Sequence, residues 1–76
     1  MLNSILSIIN VIRNNKGLDS LQSIQESTNL RTEIGFDSFD LAEFTVRVEE
    51  VYSVDIFEDG VLSTVKEVID TIERKK

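Results

Sequence analysis

The chemistry this chain offers is a serine hydroxyl at the start of an acid-rich helix. The run is Gly35-Phe36-Asp37-Ser38-Phe39-Asp40. Asp37 is a good N-cap, and Asp40 falls three residues later, where a carboxylate can reach back to the cap's own N–H. With Asp37 as the cap, Ser38 is the first helical residue and its hydroxyl is not needed for capping. A spare hydroxyl beside a helix N-terminus is a natural place for a phosphate, because unpaired N–H groups and the helix dipole favour the anion. The chain has no histidine and no cysteine. That removes the His-dependent catalytic triads, disulfides and the usual zinc ligand sets. The expectation is a protein that is not an enzyme, with no catalytic residue and no metal site.

The element that must hold Ser38 is a helix over about residues 38–52. At about 100° per residue, Leu41, Phe44, Val48, Val51 and Tyr52 share one arc, which is the expected core face. Phe39, Ala42 and Val46 lie on another arc, with Glu43 and Glu50 on one flank and Glu49 on the other. Ser38 sits at the edge of that second arc. A small apolar stripe rimmed by carboxylates suits a docking surface that combines shape with charge steering. The plainer alternative is that a few exposed apolar residues are normal on any surface.

Two further helices are expected. Leu2, Ile5, Leu6, Ile9 and Ile12 follow helical spacing over about residues 2–15. Asn14-Asn15-Lys16-Gly17 reads as the stop, with Gly17 free to take a left-handed cap. Thr64-Val65-Lys66-Glu67 matches a capping box for a last helix over about 65–74, with Val65, Val68, Ile69 and Ile72 facing inward. Between the first two helices, residues 18–36 form a long connection. A structureless loop of this length is unusual in a small domain. It should be pinned by Leu18, Leu21, Ile24, Leu30 and Ile34, or contain a short helical turn near residues 19–25. Gly35 permits a tight turn into the second helix. The stretch Phe57–Leu62 allows one further helical turn at most. The expected fold is all-α: a small helical bundle of three main helices with one short helical turn, a long first connection and some up-down character. Residues 1–76 read as a single domain.

Charge is unevenly spread. Residues 33–59 hold nine acids against one base, Arg47, for a net −8. The remainder holds five acids and seven bases, for a net +2. Such an acidic lobe repels nucleic acid and anionic membranes and attracts basic protein patches. Crowded acids should also raise one another's pKa values, so that stability falls as pH rises, with the caps at the helix start acting the other way. The apolar N-terminal stretch lacks a basic leader and a cleavage site, and is too short and polar to span a bilayer. The expectation is a cytoplasmic monomer with no membrane insertion. Asp55-Ile56-Phe57-Glu58-Asp59-Gly60 has a calcium-loop glycine, but Phe57 and Lys66 stand where ligands are required.

The Ile34-Gly35-Phe36-Asp37-Ser38 run resembles the acyl carrier protein family. So do the long connection before it, the acid-rimmed helix after it, Asp55-Ile56, and Ser63-Thr64-Val65 at the start of a last helix. The resemblance covers about residues 2–74. It implies that Ser38, in its pair with Asp37, is the cofactor-binding position: a phosphopantetheinyl transferase would use coenzyme A and Mg²⁺ to attach 4'-phosphopantetheine covalently to Ser38. The arm's thiol would then carry acyl groups as thioesters to acyl-transferring or acyl-modifying enzymes with basic docking patches. Phe39, Ala42, Glu43, Val46, Glu49 and Glu50 would form the face those partners read. Phe44, Val48, Ile56, Leu62, Val65, Val68 and Ile69 would line any acyl cavity, or serve simply as core.

The departures from the family pattern point to a specialised member. Phe39 stands where Leu usually follows the serine, Arg47 interrupts the acidic face, and Phe57 replaces a common proline. The stretch between Ile56 and Val65 is about two residues short of a typical fatty-acid carrier. A peptidyl or aminoacyl carrier is the nearest alternative, but those often show a Gly-Gly-x-Ser lead-in and a less acidic helix. An unmodified acidic helical adaptor for a basic partner is the alternative of a different class.

Overall fold

The computed structural model describes residues 1–57 and 63–75. Among these residues are three helices and no strand beyond one isolated bridge: α1 at Leu2–Asn15, α2 at Ser38–Tyr52 and α3 at Val65–Lys75. The bounds follow the sequence signals closely because caps and breakers act locally.

In α1 the buried residues are Ile5, Ile8, Ile9 and Ile12. The expected stripe is therefore rotated, with Leu2 exposed, Leu6 half-buried and Ile8 inside. On a helix Leu2 and Leu6 lie roughly 60–100° round from Ile5, at the rim of the buried stripe. Gly17 takes the left-handed conformation, φ 82°, and the Leu18 N–H bonds back to the Arg13 carbonyl at 2.9 Å. That reversal carries Leu18 outward. It is exposed and does not anchor the connection as expected.

The connection is pinned further along. The Asn10 side chain brackets Leu21, donating to its carbonyl at 3.0 Å and accepting from its N–H at 2.7 Å. Leu21 and Ile24 pack partly against the core, while Leu30 and Ile34 are buried. No helical turn forms near residues 19–25, where the Asn10 bracket holds the chain open. A turn forms instead at residues 29–34. There the Asn29 carbonyl accepts both the Glu33 and Ile34 N–H groups at 3.1 Å, and its side-chain oxygen accepts those of Arg31 and Thr32. An Asn folding its own following backbone in this way is a common turn device. The other place expected for a helical turn, Phe57–Leu62, lies outside the described residues from Glu58 onward, as does the core candidate Leu62.

The same connection caps α3. Val65 and Lys66 occupy its first turn, where N–H groups have no partner inside the helix. Their N–H groups bond to the carbonyls of Thr28 at 3.0 Å and Glu26 at 2.8 Å, and Leu30 N–H reaches the Ser63 carbonyl at 2.8 Å. The expected capping box is present: Glu67 Oε1 accepts from Thr64 N–H at 2.9 Å, and Thr64 Oγ1 accepts from Glu67 N–H at 3.3 Å.

Among the described residues, α1, the connection, α2, the following turn and α3 share one apolar core, and Phe44 is its largest fully buried side chain. Its ring meets that of Phe36 at 5.9 Å between centroids, tilted by 52°. Truncating such a residue costs about 3–5 kcal/mol, comparable to the whole stability of a small domain. The core arc of α2 is Leu41, Phe44, Thr45 and Val48, with Tyr52 half-buried. Val51, expected in the core, is exposed. It sits at the arc's edge, about 60° round from Val48, in the last turn of the helix. Ser53 ends α2 in the left-handed region, φ 59°, and the chain then turns Val54 and Ile56 inward in its place. No described helix is long and apolar enough to cross a membrane.

Candidate functional site

The segment leading into α2 alternates between buried and exposed residues. Ile34 and Phe36 are buried before the helix, and Asp40 and Leu41 are buried after its start. Asp37, Ser38 and Phe39 are left projecting between these two anchors. Gly35 makes the turn at φ 85°; a side chain there would meet no neighbour, so the backbone angle alone demands glycine.

The capping box read from the sequence is complete. Asp37 Oδ1 accepts the Asp40 N–H at 2.9 Å, and Asp40 Oδ2 accepts the Asp37 N–H at 3.1 Å. Such a cap stabilises a helix by about 1 kcal/mol. It also occupies both neighbouring carboxylates. Among the described residues the Ser38 hydroxyl has no hydrogen-bond partner, and the N–H groups of Ser38 and Phe39 have no acceptor. The site therefore offers an exposed, unactivated hydroxyl with two unpaired N–H groups at the positive end of a helix. That donor set suits an anion beside Ser38. Asp37 Oδ1 and Asp40 Oδ2 are both spent on the cap rather than on the serine.

One contact at this site has no sequence signal. Lys16, just past the end of α1, places Nζ 2.6 Å from Asp40 Oδ2, and the Asp40 side chain is only 10% exposed. The two residues are 24 apart in sequence, so neither periodicity nor capping rules bring them together. Burial pushes the Asp40 carboxyl up, but the hydrogen bonds from Lys16 and from the Asp37 backbone outweigh it and hold it below its usual value. The hydrogen bond to Asp40 raises the Lys16 pKa in turn. Glu67, hydrogen-bonded to the N–H groups of Thr64 and Ser63, is also held low. The lowered Asp40 follows the direction expected of a cap, and Glu67 lies outside the acid lobe of residues 33–59; at both places local donors decide the outcome.

A lowered carboxylate contributes stability that is present above its unfolded pKa, about 4, and is lost as pH falls through the folded value. The raised Lys16 contributes below its unfolded pKa, about 10.4, and that contribution is lost as pH rises through the folded one. The expected result is a melting temperature that falls on the acid side of about pH 4, less steeply in Asp40→Asn than in the wild type. Thermal melts from pH 3 to 7 check this. Parallel acid limbs would show that the Asp40 pair carries no such stability.

The residues of the expected docking face are solvent-facing. Phe39 is 87% exposed and Val46 57%, while Ala42, Glu49 and Glu50 are exposed too. Glu43 is only half-exposed, because Arg47 one turn on bonds its carboxylate at 2.9 Å. Of the expected cavity residues, Phe44, Val48, Ile56, Val65, Val68 and Ile69 are all part of the core.

Comparison with known proteins bears on what this geometry is for. The family described as "Phosphopantetheine attachment site" matches residues 8–72, from the middle of α1 to near the end of α3. The chain is also similar to the acyl carrier protein of Syntrophobacter fumaroxidans, with 30% identity over 73 residues covering 93% of this chain and 89% of that protein. Members of this family are carriers of a covalently held 4'-phosphopantetheine and are not themselves catalysts. On both findings, with a match that runs through all three helices, this chain belongs to the phosphopantetheine-attachment family of acyl carrier proteins.

Proposed function

We propose that Ser38 carries the 4'-phosphopantetheine arm and that the protein delivers acyl thioesters on it to successive partner enzymes. The observation that supports this most is the projecting Asp37-Ser38-Phe39 triplet, whose serine is exposed and free of partners among the described residues, in a chain of this family. In the attachment step the Ser38 oxygen forms a bond to phosphorus. Its proton goes to a base on the transferase, and the nucleotide half of coenzyme A departs. The unpaired N–H groups of Ser38 and Phe39 then face the new phosphodiester. The thiol at the far end of the arm takes the acyl group.

Phe39, Ala42 and Val46 form the apolar stripe that partner enzymes would read, and Glu49 and Glu50 supply the attraction for their basic patches. Arg47 pairs with Glu43, so that part of the rim is locally neutral. The similarity to an acyl carrier protein favours acyl over aminoacyl cargo. The test is incubation with coenzyme A, Mg²⁺ and a broad-specificity phosphopantetheinyl transferase, followed by intact-mass measurement. One added phosphopantetheinyl unit supports the reading; no added mass would favour the unmodified adaptor.

A further inference from the structure

The end of α1 holds the Ser38 turn from two sides. Lys16 Nζ donates to Asp40 Oδ2 at 2.6 Å, and that same oxygen accepts the Asp37 N–H at 3.1 Å. Arg13, three residues earlier and so on the neighbouring face of the helix, places Nη1 3.3 Å from the Ile34 carbonyl. Its Nε bonds the Asp19 carbonyl at 3.0 Å. The two cations thus grip the chain before Gly35 and after Ser38. Gly35 takes a left-handed angle between those grips, and the Ser38 hydroxyl and N–H make no bond among the described residues. Both cations also lie at the C-terminal end of α1, where the helix dipole favours them.

We propose that this pair is a clamp on the Ser38 turn, with Lys16 as a positioning residue that fixes the angle at which the serine is presented for modification. The idea rests on the Ser38 reading above. Lys16 directs its ammonium at Asp40, within the fold, at 2.6 Å. Through Asp40 it orders the Asp37 N–H, and through that amide the residue bonded to Ser38. Removing the ammonium leaves a buried carboxylate without its counter-charge, so Asp40 swings out or takes a proton, and the cap hydrogen bond to Asp37 loosens. The hydroxyl remains accessible but no longer has one orientation. A misplaced reacting group lowers the turnover step more than it lowers binding.

Two measurements on the full chain test this. In Lys16→Met, which keeps the apolar stem, exchange of the Asp37 amide with water should rise roughly fivefold. Amides in the middle of α1 and α2, such as those of Ile9 and Val48, should stay protected. With a broad-specificity transferase, kcat for phosphopantetheine transfer should fall about tenfold while KM for the carrier changes little. Lys16→Arg should restore both. Lys16→Gln, which can still donate to Asp40, should fall between and serves as the second variant if Lys16→Met does not fold. An Asp37 amide that exchanges as in the wild type overturns the clamp. So does a loss seen only in KM and abolished by salt, which would make Lys16 a docking charge. Exchange is read on the unmodified protein. Failure of the wild type to accept phosphopantetheine therefore overturns the Ser38 reading alone, and the exchange data still decide the clamp.

Discussion

Ser38→Ala is expected to take up no phosphopantetheine at all, while folding as well as the wild type. The side chain is exposed and makes no hydrogen bond among the described residues, so its loss removes no contact. Alanine is the best helix former, and the cap is Asp37, which stays. The change in stability should lie within about 0.5 kcal/mol. The change in function should be complete, because no other residue supplies a hydroxyl at this helix N-terminus. Intact-mass spectra after incubation with coenzyme A, Mg²⁺ and transferase give the answer, with circular dichroism melts as the check on folding. Equal mass gain in Ser38→Ala would place the arm on another residue, and the whole assignment of the Asp37-Ser38-Phe39 turn would fall.

The second large effect is electrostatic. Glu49→Lys with Glu50→Lys should slow transferase-catalysed modification by about tenfold or more at low salt. Each substitution adds +2, so the pair takes the formal net charge from −6 to −2. The protein stays acidic, and what reverses is the field beside the apolar stripe. Both residues are exposed, so the melting temperature should change little. Screening shortens the reach of such fields to about 8–10 Å at physiological salt, so the rate difference should shrink as salt is added. Glu43→Lys alone should do less, because Arg47 already neutralises that carboxylate at 2.9 Å. Rates unchanged at low salt in the folded double variant would show that partners approach another surface. An equal loss from Glu43→Lys would show that the Arg47 pair does not hold in solution.

The parts of this molecule legible in sequence were those governed by short-range rules. Asp37 with Asp40, and Thr64 with Glu67, are capping boxes three residues apart, and both formed as read. The helix bounds followed from them and from Gly17. The inward residues were less legible where an apolar stripe was wider than the face it covers. Leu2 and Leu6 match helical spacing as well as Ile8 does, and only the position of the neighbouring elements decides which side is buried. Val51 failed in the same way, displaced by Val54 and Ile56 from beyond the helix end. Leu18 was misread because its apolarity was weighed without the left-handed turn at Gly17 that throws it outward. Lys16–Asp40 could not be read at all. It depends on how α1 lies against α2, and a lysine beside a helix-ending glycine is indistinguishable in sequence from any solvated one.

The tie between the first connection and the start of α3 also sets an order in time. Leu30 N–H and the Ser63 carbonyl are joined across 33 residues (63 − 30), and Val65 N–H and the Thr28 carbonyl across 37 (65 − 28). Bringing such distant points together costs chain entropy before any contact offsets it, whereas helices close their own bonds locally. The junction should therefore be absent from the folding transition state, and α3 should dock late. Leu30 is fully buried beside that junction. Leu30→Ala should then speed unfolding and leave the folding rate nearly unchanged. Stopped-flow rates across a denaturant series separate the two limbs, and a folding limb that slows in proportion to the lost stability would place the junction in the nucleus.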